Sequence, residues 1–351
     1  MKNTLNKILY QFYRKIGKLL FDRSLDNLLK EANHILLINW HGKIGDTIIS
    51  SFIFRELRNT TNIQISVITT KELEPIYQYY NSNNIYLIKQ KHNLCDINNI
   101  ANKINQVDII IPLIGTLGFN DLFLISKLSP SYVFSTDKNL KLSNQQFLKE
   151  IDKKTVDEIY HKILEFIGIS NINDNYIIPY LKKIDKQIDY DILFNPFGSR
   201  IDKSLSVDKS VSLLKSIIKN YSNLKIIVIY SQNTKFIAKE IVEKINNNNI
   251  NLAKNIYSIK DSIALINRSN IIVSVDTSIV HISIGLYKKV IAIYYQVDND
   301  FNVWLPKKSL TTKVIYSLEQ KSDIEKNMNY FSNQEVIKQI RTLKDLKNDN
   351  K

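Results

Sequence analysis

A single cysteine, Cys95, stands among 351 residues, so an internal disulfide and an all-cysteine metal site are both excluded, and the chain suits a reducing cytoplasm. No apolar run reaches the length of a membrane span, and charges interrupt the first apolar stretch where a signal peptide would keep an unbroken core. A soluble or peripheral cytoplasmic protein is expected. Arginine-rich tracts and glycine-aromatic RNA motifs are also missing, so no nucleic-acid partner is expected. Acids are scarce relative to bases, 34 against 48, which leaves a formal charge of +14. Such an excess draws a protein toward anionic lipid or phosphorylated sugars. A biased genome rich in Asn, Ile and Lys codons accounts for part of it.

What is present is enough for folding. Hydrophobic residues make up 44% and charged residues 23%, an ordinary globular balance, and the length calls for two cores rather than one. Residues 4 to 30 place Leu5, Ile8, Leu9, Phe12, Ile16, Leu19 and Leu20 at helical spacing, with Lys7, Arg14, Lys15, Lys18 and Arg23 among them. This pattern predicts an amphipathic basic helix that packs on its own domain or lies on an anionic membrane surface.

Strands and helices then alternate. Strands are predicted at His34 to Asn39, Ile63 to Thr69, Ile85 to Ile88 and Asp108 to Pro112, with a helix over Asp46 to Asn59. A second series has strands at Leu193 to Pro196, Lys225 to Tyr230, Ile271 to Val275 and Val290 to Tyr294, with a helix over Asp208 to Tyr221. Alternation of this kind predicts an α/β fold with two doubly wound parallel sheets. The polar stretch Asp174 to Asp191 is the expected linker. The domains would be 1–32 (basic helix), 33–180, 181–330, and 331–351 (a helix near Gln334 to Leu346 with a polar tail).

Three turns carry chemistry. His41-Gly42-Lys43-Ile44-Gly45-Asp46-Thr47 joins a strand to a helix, the position at which parallel sheets bind ligands. Asp46 there reads either as a helix N-cap or as a site carboxylate. The stretch lacks the Gly-Lys-Ser/Thr ending of a phosphate loop, which excludes a nucleoside triphosphatase. Asn195-Pro196-Phe197-Gly198-Ser199-Arg200-Ile201-Asp202-Lys203 offers a tight turn at Gly198 and Ser199 with Arg200 and Lys203 to neutralise a diphosphate, or else an ordinary solvated loop. Asp276, Thr277 and Ser278 close a β-branched strand and cap the next helix, where N–H groups could receive phosphate oxygens. His281 follows one turn later, in a place where a packed structural histidine is as natural as a ligand.

In their order along the chain these segments resemble the ADP-heptose:lipopolysaccharide heptosyltransferases, glycosyltransferase family nine. Ile35 to Leu57, with Gly45-Asp46, looks like the opening of that family. Ser258 to Tyr294, reading SIKDSIALINRSNIIVSVDTSIVHISIGLYKKVIAIYY, is similar to its nucleotide-sugar segment. The resemblance implies a GT-B fold, two Rossmann-like domains facing a central cleft, with a tail helix that returns to the first domain. It implies inverting transfer of heptose from ADP-heptose to the inner core of lipopolysaccharide or lipooligosaccharide. Asp46 would be the general base. Ser199, Lys203, Asp276, Thr277 and Ser278 would bind the donor diphosphate, with Gly45, Gly198, Arg200 and His281 as further site residues. No metal and no cofactor would be needed, and Asp298-Asn299-Asp300 would be a solvated turn. The acceptor would be a phosphorylated glycolipid at the inner face of a bacterial inner membrane.

The family pattern is broken at three places. Leu205-Ser206 stands where Trp-Pro is usual, Tyr287-Lys288-Lys289 where Gly-Lys-Pro is usual, and Ser231-Gln232-Asn233 supplies no ribose-binding acid, leaving Gln232 as the substitute. Alternatives are a same-fold transferase using another nucleotide sugar or acceptor (capsule, other oligosaccharide or protein), or a non-catalytic sugar-nucleotide-binding protein.

Overall fold

The computed structural model describes residues 2–25, 32–60, 62–112, 114–181, 187–295, 303–318 and 327–346, and for residues 2–7 the backbone only. Asp298-Asn299-Asp300 lies outside the described residues. The chain divides into two compact units, Met1–Asn175 and Tyr176–Lys351.

In the first unit the order is α1 (Lys2–Phe21), β1 (His34–Asn39), α2 (Ile44–Ile49), α3 (Ser51–Thr60), β2 (Gln64–Thr69), α4 (Glu74–Tyr79), β3 (Asn84–Leu87), α5 (Leu94–Ala101), β4 (Ile109–Pro112), α6 (Phe119–Leu128), β5 (Tyr132–Val133), α7 (Gln145–Glu150) and α8 (Val156–Phe166). The strands form one parallel sheet in the order β3-β2-β1-β4-β5. All six residues of β1, His-Ile-Leu-Leu-Ile-Asn, are buried, as a strand covered by helices on both faces requires. Each fully buried Ile or Leu there contributes about 1.5–3 kcal/mol.

The helix expected over Asp46 to Asn59 is two helices. Ser50 ends α2: its backbone N–H donates to the Asp46 and Ile48 carbonyls, and its hydroxyl bonds the Thr47 carbonyl at 3.3 Å. A serine that competes for helix carbonyls in this way interrupts the regular ladder. The N-terminal helix ends at Phe21 rather than near residue 30, and it packs on α6.

The second unit contains β6 (Tyr190–Asn195), α9 (Val207–Asn220), β7 (Ile226–Val228), α10 (Lys235–Ile245), β8 (Ile250–Leu252), α11 (Ile259–Asn267), β9 (Ser269–Val275), α12 (Ser278–Gly285), β10 (Lys289–Tyr295), β11 (Thr312–Ser317) and α13 (Asn333–Asp345). Its parallel sheet runs β11-β10-β9-β6-β7-β8. Counted from its own first strand, this is the winding of the first unit plus one strand, so the expected duplication of a doubly wound sheet is present. The tail helix α13 buries Val336, Ile337, Ile340 and Leu343 and packs on α9, β10 and β11 of its own unit. Four apolar side chains on one face fix it there.

In each sheet the winding reverses beside the first strand, between β1 and β4 and between β6 and β9. Crevices outside the carboxyl ends of strands at such a reversal are where open α/β sheets bind ligands. Both turns that precede the chemistry-bearing residues leave from these strands.

Candidate active site

The first edge begins at Asn39, the fully buried last residue of β1. Its Nδ2 donates to the Thr47 Oγ1 at 2.9 Å and to the Tyr77 hydroxyl at 2.8 Å, while the Thr47 hydroxyl donates to the Lys43 carbonyl at 3.0 Å. The chain turns back at Gly42, whose φ of +69° is a left-handed conformation that suits glycine. Lys43 then takes the cap position with an extended backbone, and α2 starts at Ile44. Asp46 therefore lies inside the first turn and is not the N-cap; Gly45 is within the same turn. The cap reading of Asp46 is thereby corrected, because the helix begins three residues earlier than a cap at position 46 would allow.

Asp46 is buried, 6% exposed, beside two phenols. Burial raises the pKa of Tyr77 to about 12, opposed by its bonds to Thr47 and Asn39 and reinforced by the charge of Asp46. Burial also holds Tyr160 well above the ordinary tyrosine range, again with Asp46 adding to it. Both phenols thus stay protonated beside the carboxylate at neutral pH. Nearby, His41 is pushed down by burial and by the positive charges of Lys43 and His92. Trp40 lies against the His92 ring at 4.5 Å. Burial raises the Asp121 carboxyl to about 6, against the opposing hydrogen bonds of the Gly118 N–H, at 2.7 Å, and of the Trp40 side chain.

The second edge starts at Asn195, which closes β6 as Asn39 closes β1. Its Nδ2 approaches the Ser274 Oγ at 3.0 Å, the Thr277 Oγ1 at 3.1 Å and the Phe197 carbonyl at 3.3 Å. Gly198 follows, and a Cβ there would collide with the Lys203 carbonyl, so only glycine fits this turn. The Gly198 N–H donates to the Ser204 Oγ at 2.9 Å, and the chain passes through one 3-10 turn, Ile201–Lys203. Lys203 Nζ reaches the Asp276 Oδ2 at 2.7 Å. A carboxylate accepts hydrogen bonds and cannot itself hold a diphosphate, so the place of Asp276 in an anion site is to orient Lys203. The Tyr294 side chain also interacts with Asp276, and its hydroxyl donates to the Trp304 carbonyl at 3.1 Å. Thr277 is the N-cap of α12, accepting from the Ile279 N–H at 3.3 Å, and Ser278 is the first helical residue.

Arg200 and Ser199 differ from their neighbours. Ser199 is exposed on the turn, and the Arg200 guanidinium is held by Asp202 through bonds of 2.9 and 2.5 Å. His281 is buried one turn into α12, with Tyr176 edge-on at 6.4 Å and no hydrogen-bond partner for Nδ1 among the described residues. Burial pushes its pKa down to about 4, opposed by the charge of Asp276, so the ring is neutral at pH 7.

The structure thus brings Gly198, Lys203, Asp276, Thr277 and Ser278 together, and sets Asp46 and Gly45 at the equivalent edge of the other sheet. Sequence reasoning gave no role to Asn39, Asn195, Ser274, Tyr77 or Tyr294. An asparagine closing each of two apolar strands, LIN and LFN, was the available signal. At the departures from the family pattern, Leu205 is buried and the Gln232 amide is engaged by the Ile256 carbonyl. Tyr287, where glycine is usual, takes a left-handed φ of 55°, which costs about 1–2 kcal/mol in a non-glycine residue.

Two doubly wound parallel sheets of this design are those of the GT-B fold. Residues 179–330 match the model of glycosyltransferase family 9 (heptosyltransferase). Among curated proteins, the chain is 23% identical over 311 residues to "Putative lipopolysaccharide heptosyltransferase 4" of Escherichia coli K12, covering 83% of this chain and 82% of that one. Among solved structures it resembles the glycosyl transferase family 9 protein of Veillonella parvula, with TM-score 0.65, 15% identity, and coverage of 92% and 98%. It also resembles E. coli ADP-heptose heptosyltransferase II, with TM-score 0.62, 13% identity, and coverage of 88% and 98%. E. coli heptosyltransferase WaaC bound to ADP-2-deoxy-2-fluoro heptose matches at TM-score 0.60, with 14% identity and coverage of 88% and 99%.

Proposed function

We propose that the protein transfers a heptose from ADP-heptose, with inversion, to the core of a lipopolysaccharide or lipooligosaccharide. The observation that carries this reading is the coincidence of the family 9 domain with the Lys203–Asp276 pair at the N-terminus of α12. A diphosphate leaves as an anion, and a lysine with its ammonium oriented by a carboxylate, next to helix N–H groups, answers that charge. Lys203, Thr277, Ser278 and the Ser199 turn hold the diphosphate in this scheme, and Asp276 positions Lys203. Asp46 is the general base: it accepts the proton of the acceptor hydroxyl as that oxygen forms its bond to the anomeric carbon and the bond to the diphosphate oxygen breaks. With 6% of the residue exposed, the acceptor must reach Asp46 along a narrow edge. The scheme uses no metal and no cofactor. The acceptor is a phosphorylated glycolipid, whose charge suits the net +14 of the chain.

The test is incubation with ADP-heptose, ADP-glucose and UDP-sugars against a panel of truncated core acceptors, with product mass and linkage determined. A heptosylated core formed only from ADP-heptose is expected. Transfer from a different nucleotide sugar, or to a different acceptor class, would replace this substrate assignment while keeping the class of reaction.

A further inference from the structure

The helix α1 has two apolar faces, and among the described residues only one of them is packed. On the docked face, Gly17 lets α1 approach the Phe119 backbone, where a Cβ would come within 3.1 Å of it. Phe21 meets Phe119 and Phe123 edge-on, each at 5.5 Å. Arg14 donates to Asp137 at 2.6 Å and to the Leu117 carbonyl at 3.0 Å. Just past the helix, the Asp22 carboxylate accepts the N–H groups of Lys141 and Leu142. These contacts fix the roll of the helix about its own axis.

The opposite face therefore cannot turn inward. It carries Ile8, Leu9, Phe12, Leu19 and Leu20, all exposed, with Phe12 at 58% and Leu19 at 86%. At about 100° per residue, this set centres roughly 150° around the helix from Tyr10, Arg14, Gly17 and Phe21. A soluble surface seldom leaves so many large apolar side chains together without an occupant.

Charge identifies the occupant. The 20 residues of α1 include Lys2, Lys7, Arg14, Lys15 and Lys18 and not one acid. Lys15 borders the outward apolar stripe, and the exposed Arg23 follows it. A second copy of the helix would set lysine against lysine with no carboxylate to answer, whereas anionic headgroups supply that charge. Among the described residues no helix is long and apolar enough to cross a membrane, so a surface position follows. We propose that α1 is an interfacial anchor: its outward face inserts into the headgroup boundary of an anionic bilayer, and its inward face holds the first unit to that surface. The inference stands on packing and charge and does not depend on which sugar is transferred.

Co-sedimentation of the full chain with phosphatidylcholine vesicles, with and without phosphatidylglycerol, tests it. Binding to the anionic vesicles that weakens with salt is expected. The double variant Phe12→Glu, Leu19→Glu should lose at least about tenfold in partitioning, and Lys15→Glu, Lys18→Glu a smaller factor. Phe12, Leu19 and Lys15 are exposed and Lys18 is half-buried, and an unchanged thermal melt and unchanged transfer to a water-soluble acceptor would show that folding and chemistry are intact. A chain that stays in the supernatant with anionic vesicles, or variants that pellet like the parent, would overturn the anchor. Concentration-dependent dimerisation abolished by Phe12→Glu, Leu19→Glu, without vesicle binding, would assign the face to a second copy instead.

Discussion

The two units solve one architectural problem and place opposite charges on the turns after their first strands. Each winds a parallel sheet in the same order and ends its first strand in a buried asparagine whose amide braces a threonine hydroxyl, Thr47 after β1 in the first unit and Thr277 after β9 in the second. In the first unit the braced turn carries a buried carboxylate between protonated phenols. In the second, the turn after β6 carries an ammonium, partly exposed and aimed by Asp276 on the braced turn. A shared scaffold with opposite charge at its edge is what separate roles for acceptor and donor would require. The contrast teaches that the polar residues after the strand, and not the winding, decide what a doubly wound sheet handles.

The sharpest way to break the comparison is at Lys203. Lys203→Ala should weaken ADP-sugar binding and lower kcat/KM by about 10²–10³, the usual size for removing one oriented charge stabiliser. Equal activity in steady-state kinetics would empty the second edge of its role. Next comes acid titration. His281, at about 4 in the fold against 6.5 unfolded, contributes stability that is present above pH 6.5 and lost as pH falls toward 4, on the order of 3 kcal/mol in full. Asp121 has the opposite sign: with its pKa raised from 3.8 to about 6, its cost to the fold grows as pH rises through that window. Denaturant melts at pH 7 and pH 4.5 should show His281→Leu losing less stability on acidification than the parent, and Asp121→Asn losing more.

The asparagines test the shared scaffold itself. Asn39→Ala and Asn195→Ala should each cost about 1–3 kcal/mol by leaving buried hydroxyl groups without their donor. A large cost for one and none for the other, in the same urea titrations, would mean that the resemblance between the two edges is only formal. The smallest effect is expected at Arg200, whose exposed pair with Asp202 is local: Arg200→Ala should change stability by less than about 0.5 kcal/mol.

Much of the fold was legible because its signals are local. The apolar runs HILLIN and NIIVSV can only be covered strands, and β1 lies where its pattern placed it. The break at Ser50 escaped, because an apolar helical period continues through it while one serine side chain competes for carbonyls. Strand β7 is shorter than its apolar run, Lys225 to Tyr230, since pairing with neighbours ends before hydrophobicity does. At the candidate site, Gly198, Lys203 and Thr277 were legible from turn chemistry. The Lys203–Asp276 pair was not, for it joins residues 73 positions apart, and no spacing rule connects them. Nor did spacing tell the cap and the interior position of Asp46 apart, a matter of where Gly42 turns the chain.

In the proposed reaction, donor binding belongs to the second edge and proton removal to Asp46. This assignment is tested most directly by measuring, for Asp46→Asn, ADP-heptose affinity by calorimetry alongside single-turnover transfer. Affinity within about twofold of the parent and a transfer rate lower by about 10²–10⁴ are predicted. Transfer at the parental rate, or affinity and rate falling together, would contradict it.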